Sequence, residues 1–317
     1  MYRTAHPLFL VCETPLHAGS GKDLGVVDLP IQRERHTGFP KVEASTLKGS
    51  IRESFCYRAT QAWQRDNVNL VFGPEKGELH AAAVGFSDAR LLLFPVKSVR
   101  GVFAFVTCPR ILDRFRADLA TADVASDITI PPDFAPQSGQ AYLLSGKSTL
   151  PVGEKLILEE YAFDIVRPAA GPTVDGQPLG EFLAAKLFQE MPWWQSKLRH
   201  DLVVLSDNDF GDFAQLSTEV ITRTKINSET GTVAQGQLFT EEFLPSDSVL
   251  YSLALTAPLF STDAIRGEND TTHGRDQQAV LKYLKTLDPT IQMGGDATLG
   301  KGIVRTHLLT PKTTTDA

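Results

Sequence analysis

Residues 17–52 read HAGSGKDLGVVDLPIQRERHTGFPKVEASTLKGSIR, a polar, glycine-rich stretch with a helical pattern at its end. Its first part, residues 17–42, holds four glycines and only one short apolar run, so it cannot be core. The run GSGK is similar to the end of a phosphate-binding loop, which needs a glycine five positions before its Gly-Lys pair and a Ser or Thr after the lysine. Leu16 and Asp23 occupy those two positions. The sequence therefore disfavours an NTPase, and the stretch needs another explanation.

The composition of the 317-residue chain, 42% hydrophobic and 22% charged, is typical of a soluble globular protein. Because no run of about 18 apolar residues occurs, we expect no membrane span and no membrane partner. The N-terminal apolar run lacks a small-residue cleavage site, which favours an opening strand over a signal peptide and predicts a cytoplasmic protein. The three dispersed cysteines predict reduced thiols rather than disulfides or a zinc site: Cys12, Cys56 and Cys108.

The charge is unevenly distributed. A net charge of -7 argues against a free-standing nucleic-acid binder, whose binding face is normally basic. Between Gln32 and Arg58, however, six basic residues stand against three acidic ones. An acidic protein with one basic face would confine polyanion binding to that face.

A helix is predicted directly after the glycine-rich stretch, with Ser45 or Thr46 as its cap. Its apolar stripe recurs every four residues, at Leu47, Ile51 and Phe55. Lys48 and Arg52 lie off that stripe and are expected to share an exposed flank near the helix N-terminus, where the helix dipole favours anions. A phosphate-binding flank and a solvated helix face are both consistent with this pattern.

Strands and helices alternate along the remaining chain. Apolar runs predict strands at 8–11, 81–94, 101–108, 249–256 and 303–309. Helices are predicted at 111–119, from 182 onward and at 276–287, whereas residues 126–152, rich in Pro, Ser and Gly, predict loop. The turn-rich SETGTVAQG between 219–227 and 238–243 predicts a projecting hairpin. The order strand, helix, strand, repeated at both ends, indicates an α+β, ferredoxin-like plan with long insertions.

Three runs resemble the signatures of the backbone RAMP subunit of type III-B CRISPR effector complexes, the fourth Cmr subunit. They are residues 17–52, ETGTVAQGQLFTEEFLPSD at 229–247 and QMGGDATLGKGIVR at 292–305. The first is highly specific because LGVVD-x-PIQRERHTGFP is long and unusual, whereas the last, glycine-rich run is shared by the wider RAMP superfamily. The three stand in the expected order and span almost the whole chain.

The resemblance implies a single RAMP domain over residues 1–317, built as a ferredoxin-like (RRM-like) palm. It implies a helical or loop insertion at about 110–215 and a β-hairpin thumb at about 218–245. It further implies that copies of the chain stack along one CRISPR RNA beside other Cmr subunits. In such a complex each copy acts as an endoribonuclease. It cuts once in the single-stranded target RNA that has paired with the guide, so the cleavage positions are regularly spaced.

The resemblance also implies roles for individual residues. The catalytic aspartate falls on Asp28, a motif histidine on His17, and a glutamate and a tyrosine on Glu241 and Phe243. Because phenylalanine has no hydroxyl, the role of that tyrosine does not carry over to Phe243. Candidate RNA-binding residues come from the first signature, the helix after it and the glycine-rich loop: Arg33, Arg35, Lys48, Arg52, Gly294, Gly295 and Lys301.

RNA can be cut by its own 2'-hydroxyl, so the protein must supply positioning, charge stabilisation and help with protons. An unperturbed aspartate, with a pKa of about 3.9, is a poor base at neutral pH. Asp28 therefore suits either a metal ligand for hydrated Mg²⁺ or Mn²⁺ or a base whose pKa is raised by neighbours. Both ions keep several waters and accept a lone carboxylate plus phosphate oxygens.

Two other functions stay open. One is a structural RNA-binding backbone subunit without cleavage activity, against which the presence of Asp28 argues. The other is a RAMP endonuclease that processes guide RNA alone, using histidine-centred acid-base chemistry. The stacked-subunit signatures and the acidic net charge both disfavour it.

Overall fold

A computed structural model describes residues 4–22, 25–75, 80–122, 127–226, 231, 233–267 and 272–309, with the side chains of 225–226 and 233–237 left out. The α-helices are α1 (Ala44–Arg58), α2 (Ala62–Phe72), α3 (Pro109–Ala120), α4 (Leu179–Leu187), α5 (Pro192–His200), α6 (Asp207–Leu216) and α7 (Gln277–Leu284). The strands are β1 (Thr4–Cys12), β2 (Lys41–Val42), β3 (Val84–Phe86), β4 (Ala89–Lys97), β5 (Phe103–Thr107), β6 (Ile128–Thr129), β7 (Gln140–Leu143), β8 (Lys155–Leu158), β9 (Tyr161–Val166), β10 (Thr173–Val174), β11 (Gln177–Pro178), β12 (Leu202–Leu205), β13 (Glu219–Ile226), β14 (Val233–Phe243), β15 (Val249–Thr256), β16 (Ile265–Arg266), β17 (Thr272–Gly274), β18 (Thr290–Gln292) and β19 (Ile303–Leu308).

One large mixed sheet organises the protein, in the order β18-β19-β1-β15-β4-β5-β12-β7-β9-β8. The third strand in this order, β1, pairs antiparallel with β15 on one side and β19 on the other. Both β1 and β15 are almost entirely buried, as expected of apolar runs covered on both faces. Phe115 of α3 packs edge-on against Phe9 of β1 and Tyr251 of β15. The predicted mixed fold of helices and sheet is confirmed.

The first helix carries the predicted apolar stripe but not the predicted cap. Its stripe is buried as expected: Leu47, Ile51 and Phe55. The helix begins at Ala44, so Ser45 and Thr46 lie inside it, and the cap prediction was wrong. The first N–H groups are instead satisfied by distant side chains, since Gln32 accepts from Glu43 N at 2.7 Å and Asp88 from Ala44 N at 2.9 Å.

The insertion at about 110–215 was predicted as helix and loop, and that description was wrong in part. Besides α3 to α6 it contains β7, β8, β9 and β12, which extend the main sheet beyond β5. The strand β12 is a short run, LVVL, buried throughout and parallel to β5. Such brief apolar runs carry no periodicity, so they cannot be told from helix or loop in the sequence.

The predicted hairpin is present as a two-stranded sheet of β13 and β14, paired from Glu219 and Phe243 to Thr224 and Leu238. The return strand begins at Val233, earlier than the predicted Leu238. Within the predicted turn-rich segment 228–236, residues 228–230 and 232 lie outside the described residues.

Two further expectations concern the cysteines and the membrane. All three cysteines are free thiols, as predicted, and Cys12 and Cys108 are buried. None of the helices in the described ranges is long and apolar enough to span a membrane.

Candidate active site

The glycine-rich N-terminal loop lies along the base of the hairpin as an added strand. Leu29 N–H donates to the carbonyl of Thr240, and Glu242 N–H donates to the carbonyl of Leu29, both at 3.0 Å. Leu16 and Leu244 exchange two further backbone hydrogen bonds, each 2.9 Å long. The loop around Asp28 is therefore held by β14, although more than two hundred residues separate them in the chain.

Asp28 is exposed and is oriented by a single residue of β14. Its Oδ2 accepts hydrogen bonds from the Thr240 backbone N–H at 2.7 Å and from the Thr240 hydroxyl at 2.9 Å. The Asp28 N–H in turn donates to the Thr240 hydroxyl oxygen at 3.0 Å. The backbone hydrogen bond from Thr240, followed by the one from its side chain, lowers the pKa of Asp28. The site thus presents an ionised carboxylate to solvent, beside Val26, which is 98% exposed.

His17 and Glu241 form a second group, held by the residues that follow Thr240. The Nδ1 atom of His17 lies 2.7 Å from the carbonyl oxygen of Glu242, which can only accept, so Nδ1 donates. The Nε2 atom then faces Glu241 Oε1 at 3.5 Å. These side chains are only 12% and 7% exposed. The imidazole also packs against Phe243, with ring centroids 5.6 Å apart.

Two charged residues that the sequence analysis did not select complete this group. Arg223 of β13 donates through Nε to Glu241 Oε2 at 2.8 Å and through Nη2 to Asp296 Oδ2 at 2.6 Å. Burial is the main cause that raises the pKa of Glu241, and the carboxylate of Asp296 raises it further, whereas His17 and Arg223 lower it. Asp296 is the one acid in the glycine-rich run of the third signature, a signal that could have found it.

The glycines of that run allow it to pack tightly against His17. Gly294 has a φ of +76°, and a Cβ there would lie 2.3 Å from the carbonyl oxygen of His17. The N–H of Gly295 donates to the same oxygen at 2.9 Å. Lys301 places its ammonium 5.0 Å from the centroid of the Phe243 ring. The close approach that the glycines permit is therefore to the protein's own backbone, and contact of Gly294, Gly295 and Lys301 with RNA stays a prediction.

Arg33 and Arg35 do not share a face. The Arg33 guanidinium turns inward, where it donates to the carbonyls of Gly38 and Ala214 at 2.7 and 2.9 Å and forms an ion pair with Glu242. Arg35 is exposed and has no polar partner among the residues that the structure describes. Of the two, only Arg35 presents its charge to solvent.

Lys48 and Arg52 were expected on an exposed flank of α1, but both are half-buried. Arg52 donates to the carbonyl of Gly73 and, at 2.8 Å, to Asn69 Oδ1, so it joins α1 to α2. Burial, followed by the charge of Arg52, lowers the pKa of Lys48. The exposed-flank prediction was wrong because a helical pattern does not show which neighbouring helix covers a flank.

The described residues supply few ligands for a metal. Among them, no group of three or more His, Cys, Asp or Glu side chains could hold an ion. Thr240 binds Asp28 through Oδ2, so among the described residues Oδ1 is the oxygen that remains for an ion. That fits Mg²⁺ or Mn²⁺ only if water and RNA phosphates complete the coordination.

Comparison with known proteins places the chain in a family. The family model of the RAMP superfamily matches residues 9–305. The CRISPR system Cmr endoribonuclease Cmr4 of Pyrococcus furiosus is 36% identical over 299 residues, which cover 93% of this chain and 92% of that protein. The crystal structure of oligomeric Cmr4 from Pyrococcus furiosus superposes with a TM-score of 0.67 at 29% identity, covering 96% of this chain and 97% of that one.

A more distant relative has the same fold. A chain in the cryo-EM structure of the Type III-B Cmr-beta bound to cognate target RNA matches with a TM-score of 0.69 at 20% identity, covering 97% of this chain and 98% of that one. Sequence and fold thus agree over nearly the full length. We conclude that this chain belongs to the RAMP superfamily and, within it, to the family of Cmr4.

Proposed function

We propose that this protein is an RNA-binding backbone subunit of a type III-B effector complex, which stacks along CRISPR RNA and cleaves the paired target RNA at regular intervals. Its 36% identical relative is named as an endoribonuclease, and a related chain was crystallised as an oligomer. The observation that carries the proposal is the exposed, ionised carboxylate of Asp28, fixed by Thr240, whose neighbour in β14, Glu241, faces His17.

In this proposal the palm is ferredoxin-like and the hairpin is its thumb. The strands β19, β1, β15 and β4 are adjacent and antiparallel, while α1 follows β1 in the chain and α7 follows β15. That order and connectivity match the split βαβ plan. On the hairpin, Val220 and Leu238 are 50% and 63% exposed, which gives the thumb apolar groups with which to contact RNA bases.

Asp28 acts through charge and position rather than as a strong base. In the proposed reaction, the 2'-hydroxyl of the target attacks the adjacent phosphorus once the strand leaves A-form geometry. A 2',3'-cyclic phosphate forms as the bond from phosphorus to the 5'-oxygen of the next nucleotide breaks. The hydrogen bonds from Thr240 lower the pKa of Asp28, so the alternative of a base with a raised pKa loses support. The carboxylate can instead accept a hydrogen bond from the attacking hydroxyl and orient it.

The proposed divalent cation would be held by Asp28 together with the RNA. A bound Mg²⁺ or Mn²⁺ would neutralise charge on the scissile phosphate. Because the described chain offers one free oxygen there, we expect the cation to bind weakly without RNA. Addition of EDTA should stop cleavage, and cleavage that continues in EDTA would reject the cation.

His17 and Glu241 are proposed to move the proton from the attacking 2'-hydroxyl to the leaving 5'-oxygen. The hydrogen bond from Nδ1 to the Glu242 carbonyl fixes the tautomer, so Nε2 is the atom that can gain or lose a proton. Glu241 lies next to that atom and stabilises the imidazolium when it forms. This is the arrangement expected of an acid-base pair whose base is oriented by a third group.

For RNA binding, the exposed and half-exposed cations are the stronger candidates. Arg35, Lys48 and Lys301 have no ion pair within the described part of the chain. Arg33 and Arg52 would have to give up internal hydrogen bonds to reach a phosphate, so we assign them to holding segments of the fold together.

The products of a reconstituted complex distinguish this function from its alternatives. Evenly spaced target fragments support a stack of cleaving subunits. An assembled complex that binds guide and target without cutting either would instead identify a structural subunit. Cutting of repeat RNA by the isolated chain would identify a guide-processing enzyme.

A further inference from the structure

Four charged side chains from four separate segments meet beside the hairpin. His17 comes from the N-terminal loop, Arg223 from β13, Glu241 from β14 and Asp296 from the glycine-rich loop. We propose that Arg223 and Asp296 are positioning residues, which hold Glu241 against His17 and set when Glu241 ionises. The proposal rests on the proposed endoribonuclease function for its catalytic meaning.

The two oxygens of Glu241 have different partners. Arg223 Nε binds Oε2 at 2.8 Å, which leaves Oε1 directed at His17 Nε2, 3.5 Å away. Arg223 makes its second contact, to Asp296, through Nη2, so one guanidinium fixes both carboxylates. Because guanidinium is planar and its donors are fixed, this two-pronged contact sets the direction of Glu241 as well as its position.

The segments that carry these groups cannot shift independently. The loop that holds Asp296 is attached to the backbone of His17 by the hydrogen bond from Gly295 N–H at 2.9 Å. Asp296 itself has a φ of +60° and accepts the N–H of Leu299 at 2.9 Å, which fixes its backbone at a tight turn. Arg223 also lies over the buried Phe243 ring, 5.5 Å from its centroid. Loss of either positioning side chain should therefore let the Glu241 side chain change its orientation, while His17 stays in place.

Electrostatics give the two residues opposite effects on Glu241. The charged groups that face it are His17, Arg223 and Asp296, with Lys301 beyond the Phe243 ring. A nearby carboxylate disfavours ionisation of Glu241, whereas a nearby guanidinium favours it. Removal of Arg223 should thus raise the pKa of Glu241, and neutralisation of Asp296 should lower it.

The test is the pH dependence of target cleavage by the reconstituted complex. Whichever limb of the pH–rate profile reports Glu241, Arg223→Gln should move that limb to higher pH and Asp296→Asn should move it to lower pH, each by about one unit. Arg223→Lys keeps the positive charge but loses the planar guanidinium that contacts both carboxylates. It should therefore leave the limb of the pH–rate profile near its wild-type position while the cleavage rate falls.

Arg305→Gln is the matched control. Arg305 is 22% exposed, close to the 20% of Arg223, and forms an ion pair with Glu13, outside this group. It should lower stability without moving either limb. The proposal is overturned if Arg223→Gln and Asp296→Asn move the limb of the pH–rate profile in the same direction. It is also overturned if neither variant moves a limb, as expected of Arg305→Gln.

A second measurement separates this proposal from the proposed function. Carboxyl ¹³C NMR of the full chain, with the Glu241 signal assigned through Glu241→Gln, follows ionisation of Glu241 without any cleavage. Opposite shifts in the two variants support the positioning role even if the complex does not cut RNA, in which case the proposed function alone fails. Unchanged titration in both variants rejects the positioning role.

Discussion

The Oδ2 atom of Asp28 accepts hydrogen bonds from both the backbone N–H and the hydroxyl of Thr240, at 2.7 and 2.9 Å. The next residue of β14, Glu241, faces His17. Consecutive residues of one strand thus orient both groups of the candidate active site. The hairpin base is therefore part of the candidate active site, and we expect its geometry to control the rate of cleavage.

Replacement of Thr240 by valine should slow cleavage about tenfold, because Asp28 keeps its backbone hydrogen bond but loses the hydroxyl that orients it. The measurement is single-turnover cleavage at saturating complex. Thr222→Val is the matched control, since Thr222 pairs with Thr240 across the hairpin, is exposed and makes no hydrogen bond to Asp28. Equal losses in both variants would show that the hydroxyl contact does not matter.

Asp247→Asn should stabilise the protein at neutral pH. Burial, with a further contribution from the charge of Glu13, raises the pKa of Asp247 to about 6. A carboxyl whose pKa is raised by folding contributes stability that is present at low pH and lost as the pH rises through the folded pKa. The melting temperature of the variant should therefore exceed that of the wild type above pH 6 and approach it toward pH 4. An advantage that grows at low pH would contradict this account.

Arg52→Ala should destabilise the fold by about 1–3 kcal/mol, since the guanidinium joins α1 to α2 through Gly73 and Asn69. Urea unfolding followed by circular dichroism gives the change in free energy. Arg65→Ala on α2 serves as a control, because Arg65 is exposed and makes one long hydrogen bond, 3.3 Å, to Ala59. Equally small changes in the free energy of unfolding in both variants would instead indicate that Arg52 behaves as a solvated side chain.

Lys48→Ala should weaken binding of CRISPR RNA with little effect on stability. If Lys48 contacts one phosphate, the slope of log affinity against log salt should fall by roughly one unit. Filter binding over a salt series measures it, and Lys97→Ala offers a control on the exposed end of β4. An unchanged slope, with an unchanged affinity, would remove Lys48 from the RNA contact.

The sequence predicts best those parts whose pattern is local. The stripe of α1 and the apolar strands β1, β15 and β19 are found where periodicity and buried runs predict them. The strands β7, β8, β9 and β12 inside the 110–215 insertion were missed because they are short and are stabilised by pairing with one another and, through β12, with β5. The contact of the Arg52 side chain with α2 was not predicted, because α2 itself was not predicted from the sequence.

The candidate active site likewise contains residues that could be selected from the sequence and residues that could not. Asp28, His17 and Glu241 were selected through the resemblance, and the structure brings Asp28 and the His17–Glu241 pair to neighbouring residues of β14. Thr240, Arg223 and Asp296 were not selected, because their importance lies in contacts between segments far apart in the chain. A threonine or an arginine in an alternating strand carries no local sign of such a partner.

Asp28 is the residue on which the proposed cleavage of the target depends. The most direct measurement is target cleavage by a reconstituted complex that carries Asp28→Asn, compared with the wild type. The account predicts that the variant assembles and binds guide RNA normally, while the evenly spaced products fall by about a hundredfold or more. Products of the same spacing, formed at the wild-type rate by Asp28→Asn, would contradict it.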